Sequence, residues 1–208
     1  MLKIWGRNTS SNVQKVMWGI GEMGIAYERI DIGGSFGKNK EAPYLAMNPN
    51  GLVPTLEEED GFLLWESNSI LRYLAAKHRA SVLDPADLRT RAHAHKWMDW
   101  QLSVAGPAIF PVFWGLVRTP PEKRDQAAIA AGKVKITDAM KILDAQLRKT
   151  AHVASDAFSY GDIPVGIIAY RYLQLVTDRP AMSGLERWYK AISDRKAFKD
   201  HISAVPLQ

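Results

Sequence analysis

Apolar positions alternate with polar ones in short runs near the amino terminus, then take up helical spacing for most of the remaining chain. Leu2, Lys3, Ile4 and Trp5 read as a short first strand. After a polar turn over residues 6–12, Val13, Val16, Met17 and Ile20 fall at i, i+3, i+4 and i+7. That spacing predicts an amphipathic helix, ended by Gly21 and Gly24. Residues 27–32, YERIDI, alternate again and read as a second strand. A strand–helix–strand order implies a parallel pair joined by a right-handed crossover. Residues 33–40 form a polar, glycine-containing loop, and a short helical turn follows around Tyr44 and Leu45.

Residues 48–74, NPNGLVPTLEEEDGFLLWESNSILRYL, carry the densest information. Asn48, Pro49, Asn50 and Gly51 are turn chemistry, because Asn and Gly tolerate positive φ and Pro fixes φ. Residues 52–56 then read as a strand whose start holds Pro54, an unusual place unless the position has a special task. The acidic run 57–61 makes a hairpin tip, and residues 62–65 make the return strand. Glu66, Ser67 and Asn68 sit where Ile70, Leu71 and Leu74 take up helical spacing. The order so far is βαβ-α-ββα, a thioredoxin-like arrangement.

The pattern breaks over residues 77–87, which read as a linker, and beyond it the chain is helical. Residues 89–116 form a long helix rich in aromatics, bent near Gly106, Pro107 and Pro111. Thr119, Pro120 and Pro121 break it. Helices follow over 122–149, 159–176 and 184–193, with a short tail around Phe198. Ser159 and Asp162 form an S-x-x-D box, in which Ser159 is expected to accept from the Asp162 N–H and Asp162 to reach back to Ser159. That is a folding element, with no chemistry assigned to it.

The 48–74 order closely resembles the glutathione site of the cytosolic glutathione transferase superfamily, in a bacterial form with theta, zeta and nu features. The resemblance covers essentially the whole chain. It implies a thioredoxin-like α/β domain over residues 1–78 and an all-α domain over 88–208. In that family the residue before the proline, here Val53, pairs its backbone with the cysteinyl amide of glutathione, and the proline, here Pro54, is cis. The polar pair opening the next helix, here Glu66 and Ser67, receives the γ-glutamyl end. Physical chemistry agrees, since Ser67 offers a hydroxyl and an N–H at a helix start and Glu66 can pair with an ammonium. A capped helix after a hairpin is the plainer account of Glu66 and Ser67 taken alone. By the same resemblance Lys38 and Lys40 reach the glycyl carboxylate, although solvated loop lysines explain them equally. Asn50 touches the ligand backbone or simply makes the turn.

In this superfamily a side chain just after the first strand donates a hydrogen bond to the glutathione sulfur and lowers its pKa. Residues 7–16 read RNTSSNVQKV, with no tyrosine and no cysteine. Ser10 falls on the serine of the theta and zeta types, and Asn12 falls where the nu class carries asparagine. Hydroxyl and amide donors at a helix start both suit a thiolate. The candidates rank Ser10, then Asn12, then Ser11, against the alternative that all three cap the first helix. Phe110, Trp114 and Arg118 are candidates for a second-substrate pocket between the domains, with core and interface packing as the alternative.

Composition narrows the field. The chain has 208 residues, 47% apolar and 24% charged, enough for one or two cores. It has no cysteine, which excludes disulfides, thiolate metal sites and a CxxC mechanism. His93 and His95 stand two apart on a helix and point in different directions, so no metal is expected. The net charge of +5 lies wholly in residues 81–208, scattered over helices and not clustered as nucleic-acid binding would need. No apolar run approaches the roughly 20 residues of a membrane span, and the start, MLKIWGRNTS, has no signal-peptide core. A cytoplasmic protein is expected, without membrane or nucleic-acid partners.

The resemblance therefore implies a glutathione transferase of detoxification type. It would stabilise the glutathione thiolate for attack on a small hydrophobic electrophile, with glutathione as co-substrate, no metal, and a homodimer as the assembly. Two alternatives stand beside it: a glutathione-dependent disulfide reductase or peroxidase of nu type, and a non-catalytic glutathione-binding interaction protein.

Overall fold

A computed structural model describes all 208 residues, which divide into two compact units. The first comprises Met1–Asp84 together with Lys196–Pro206. The second comprises Pro85–Arg195 and the last two residues. The expected helical domain runs to residue 208, but Lys196–Pro206 pack into the first unit instead.

The first unit is built on β1 (Leu2–Trp5), β2 (Tyr27–Ile30), β3 (Thr55–Glu57) and β4 (Leu63–Trp65), in the order β2-β1-β3-β4. β1 and β2 are parallel, and the other two pairs are antiparallel. Three helices accompany them: α1 (Ser11–Met23), α2 (Ala42–Met47) and α3 (Ser67–Lys77). The core joins Ile4 and Leu56 from the sheet to Val13, Val16, Met17 and Ile20 of α1 and Ile70 and Leu74 of α3. The strands are shorter than the alternation predicts. Leu52, Val53 and Pro54 precede β3 as a loop, since proline brings no N–H to a ladder. Gly21 lies inside α1, and the helix ends at Gly24 in the left-handed region (φ 65°).

α1 is buried on both sides, from Val13 through Ile20. The chain end explains this. α9 (Lys196–Phe198) and the π-turn Lys199–Ser203 pack on α1, with Trp18 meeting Phe198 edge to face at 5.0 Å. A Cβ on Gly21 would stand 2.9 Å from that of Ala197, so the helices touch where only glycine fits.

In the second unit the long helix is a relay. α4 (Leu88–Trp100) runs into a π-turn (Gln101–Ala105), α5 (Gly106–Phe113) and a second π-turn (Trp114–Arg118). Pro107 and Pro111 supply no N–H, and the chain answers with wide turns at either end of α5 while staying helical. This stretch is long and apolar enough to cross a membrane, but α4 and α5 pack on α6 (Gln126–Leu147) and α7 (Asp162–Leu175), as a core helix does. α6 begins later than expected because Pro121–Lys123 make a 3-10 turn and Asp125 caps the helix by accepting from Ala128 N–H.

Two buried carboxylates organise this unit. Asp144 of α6 accepts from the N–H groups of Gly184 and Leu185 at 2.8 and 3.0 Å, capping α8 (Ser183–Ser193) from another helix. Asp162 is fully buried and accepts from Ser159 N–H, Ser159 Oγ, Val153 N–H, His152 Nδ1 and Trp188 Nε1. The S-x-x-D box is thus half as expected. Asp162 does reach back to the Ser159 N–H, but the Ser159 hydroxyl accepts from Gly161 N–H, and Asp162 N–H donates to the Ser159 carbonyl.

Asp162→Ala would strip several buried donors of their partner at once. Its expected cost is about 3–5 kcal/mol of unfolding free energy. An equilibrium urea titration with an unchanged midpoint would contradict that role.

Candidate functional site

The sheet register gathers the predicted segments. Trp5 is opposite Ile30 on one side and Thr55 on the other, and Thr55 is opposite Trp65. The stretches that follow Trp5, Ile30 and Trp65, and the one that precedes Thr55, therefore all emerge from the same end of the sheet. They hold residues 6–12, 31–40, 66–68 and 52–54. Contacts confirm the convergence. A Cβ on Gly6 would stand 3.2 Å from the Val53 Cβ, and one on Gly33 would stand 3.3 Å from Val53 Cγ1 and 3.2 Å from the Arg7 guanidinium.

Ser10 is the N-cap residue of α1, in extended conformation (φ −79°, ψ 123°), with no capping hydrogen bond from its side chain. The alternative that it serves only as a cap finds no bond to support it. Ser11 is the first helical residue and half-buried, and Asn12, the second, is exposed. The first-turn N–H groups lie beside them, an environment that favours an anion.

The Val53–Pro54 peptide bond is cis. What holds the loop in place is a buried polar cluster. The Tyr44 hydroxyl donates to the Leu52 carbonyl at 2.6 Å and pairs with the Thr55 hydroxyl at 2.9 Å. Asn48 Nδ2 donates to the same carbonyl at 2.9 Å and lies 3.3 Å from Thr55 Oγ1. Burial pushes the Tyr44 phenol up, with the bonds to Thr55 and Asn48 pulling the other way, so it stays protonated and donating near neutral pH. Asn39 Nδ2 donates to the Gly51 carbonyl at 2.7 Å, tying the 33–40 loop to the same turn.

Glu66 precedes α3 at φ 73°, in the left-handed region, and makes no capping bond. A non-glycine residue held there is strained, a condition that tends to accompany binding sites. Its carboxylate is exposed, and Ser67 is buried at the helix start.

The remaining predicted residues are placed less directly. Lys38 is exposed with φ 64°. Lys40 Nζ donates to the Asn50 carbonyl at 3.0 Å, and Asn50 itself leans on Asn48 Oδ1, so both have work within the turn. In the helical unit Phe110 and Trp114 are exposed and stack at 5.5 Å between centroids. They line a cleft of about 250 Å³ with Pro111, Thr119 and Ile129. Arg118 does not line it and lies 5.8 Å from the Phe113 ring centroid, at the end of the π-turn that alters the helical phase. His95 Nε2 pairs with the Tyr160 hydroxyl at 2.8 Å, and no group of three or more His, Asp or Glu side chains is placed to hold a metal ion.

Residues 9–77 match the family model for the amino-terminal domain of glutathione S-transferases. Glutathione S-transferase GstB of Escherichia coli K12 is 42% identical over 200 residues, 96% of each chain. The chain belongs to the glutathione S-transferase family. Among solved structures, the theta-class glutathione S-transferase of Xanthomonas axonopodis pv. citri, with glutathione bound, superimposes with a TM-score of 0.94 at 40% identity. That comparison covers 100% of this chain and 99% of the other. Glutathione transferase F7 of Populus trichocarpa gives 0.87 at 27% identity, over 99% and 100%. The transferase fold is thus this chain's fold, thioredoxin-like unit first and helical unit second.

Four residues of this transferase escaped the sequence reading. Arg7 lies across Gly33 and Gly34, bringing a cation to the loop edge. Tyr44, Asn39 and Thr55 position the Val53 loop, and none has a local signal beyond being polar in a mixed segment.

Asn48→Ala removes the amide bonds to Leu52 and Thr55 and the anchor of Asn50. The expected result is glutathione affinity weakened about tenfold, with about 1–3 kcal/mol lost from unfolding stability. Calorimetric titration showing wild-type affinity would mean the loop is held by other means.

Proposed function

We propose that this transferase binds glutathione at the end of the sheet where Ser10, Val53, Glu66 and Ser67 converge, and that Ser10 stabilises its thiolate. The observation that carries the reading is Ser10 itself, a helix N-cap whose hydroxyl makes no cap bond. Asn12 and Ser11 stand next in order. Val53 offers backbone groups to the cysteinyl amide, Glu66 and Ser67 take the γ-glutamyl end, and Lys38, Lys40 and Asn50 border the glycyl end. The E. coli relative and the glutathione-bound Xanthomonas structure support glutathione binding by likeness.

The chemistry is attack of the thiolate sulfur on an electrophilic carbon, with the thiol proton passed to solvent and the leaving group departing with the bond pair. A thiol such as that of cysteine titrates near 8.5, so lowering it by about two makes most of it thiolate at pH 7, worth roughly 2.7 kcal/mol. One or two hydrogen bonds to the anion are of that size. The stacked Phe110 and Trp114 offer a hydrophobic acceptor an aromatic surface. The assembly we infer is a homodimer, supported by exposed apolar side chains on each unit, among them Leu52 and Phe62, and Leu88 and Leu102. A cytoplasmic detoxification role goes with that chemistry and with the transferase likeness. Asn12, exposed in the first turn of α1, favours a second reading, glutathione-dependent reduction of disulfides or peroxides.

Ser10→Ala is expected to lower the conjugation rate about a hundredfold while glutathione binding changes by less than about threefold. The same loss in Asn12→Ala, with Ser10→Ala active, would transfer the role to Asn12. Unchanged rates in both would defeat thiolate activation by this segment. Light scattering should give twice the chain mass, and a monomer would contradict the dimer.

A further inference from the structure

Arg171 of α7 is the one arginine buried in the molecule, at 9% exposure. Its guanidinium lies over the Phe113 ring at 4.0 Å from the centroid, and its Nε is sealed from solvent with no hydrogen-bond partner. The groups acting on its proton are few. Burial comes first and Arg118 second, which together bring its pKa down to about 10, with Tyr170 acting weakly the other way. No carboxylate is among them. At neutral pH it is therefore a buried, unpaired cation with a second cation beside it.

That arrangement costs stability, because a buried charge is normally paired and hydrogen-bonded. A planar guanidinium is also the side chain best shaped to take a carboxylate with two parallel hydrogen bonds. Nε alone is sealed, so the terminal nitrogens are the end from which an anion approaches. Arg118 lies by the same Phe113 ring and is exposed. α5 packs on α7, and its buried residues include Ile109 and Val112 as well as Phe113.

We propose that Arg171 and Arg118, flanking Phe113, form a carboxylate site whose ligand is a small organic acid with an apolar or aromatic body. Apolar surroundings favour an organic carboxylate over free phosphate. Arg171 is the residue on which the site depends.

The test measures binding on the full chain. Benzoate is titrated by calorimetry into wild type, Arg171→Met and Arg171→Lys, with inorganic phosphate as a separate arm. Benzoate binding is expected to weaken about tenfold or more in Arg171→Met and to be partly retained in Arg171→Lys. The Met variant should melt no lower than wild type, since it removes an unpaired buried charge. Wild type that ignores benzoate, phosphate binding without benzoate binding, or wild-type benzoate affinity in Arg171→Met overturns the proposal.

Discussion

The hydrogen bonds that Tyr44 and Asn48 make to Thr55 and to the Leu52 carbonyl tie the loop before β3 to the sheet. Thr55 stands at the end of the sheet between Trp5 and Trp65, so whatever fixes Thr55 fixes the strand ends around it. Its hydroxyl is buried and shared by the two side chains that also hold the Leu52 carbonyl. Breaking the cluster would leave polar groups unpaired away from water, which costs more than the bonds themselves contribute. Val53 is placed by that cluster. The helix starts carrying Ser10 and Ser67 are placed by the same sheet end, so the cradle is a consequence of strand register.

The helical unit uses polar groups in two opposite ways. Asp162 and Asp144 are buried with their acceptor capacity met by backbone and side-chain donors, so they fix helix starts. Arg171 is buried with its needs unmet. The first arrangement serves stability. The second sacrifices it, and a residue that does so is better explained by a ligand than by the fold.

The parts legible in the sequence are those whose cause is local. Proline and glycine in residues 48–54, the polar entry to α3 and the spacing of Val13, Val16, Met17 and Ile20 each act within a few residues, so their placement could be read directly. The missed parts arise from partners far along the chain. Asp144 caps a helix forty residues away, and Asp162 gathers donors from three separate segments. Lys196–Pro206 return to bury the second side of α1, which periodicity alone presents as solvent-facing. The π-turns at either end of α5 change the helical phase, so Arg118 turns toward Phe113 and away from the Phe110–Trp114 cleft. Arg7 is legible only as one more basic residue until the loop over Gly33 and Gly34 is folded beneath it.

The central claim is that this sheet end binds glutathione in its thiolate form. Titrating the purified protein with glutathione while following ultraviolet thiolate absorbance across pH tests it most directly. The account predicts saturable binding with the bound thiol ionised at neutral pH, its midpoint about two below that of the free thiol. Binding with an unshifted midpoint, or no binding at millimolar glutathione, would contradict it.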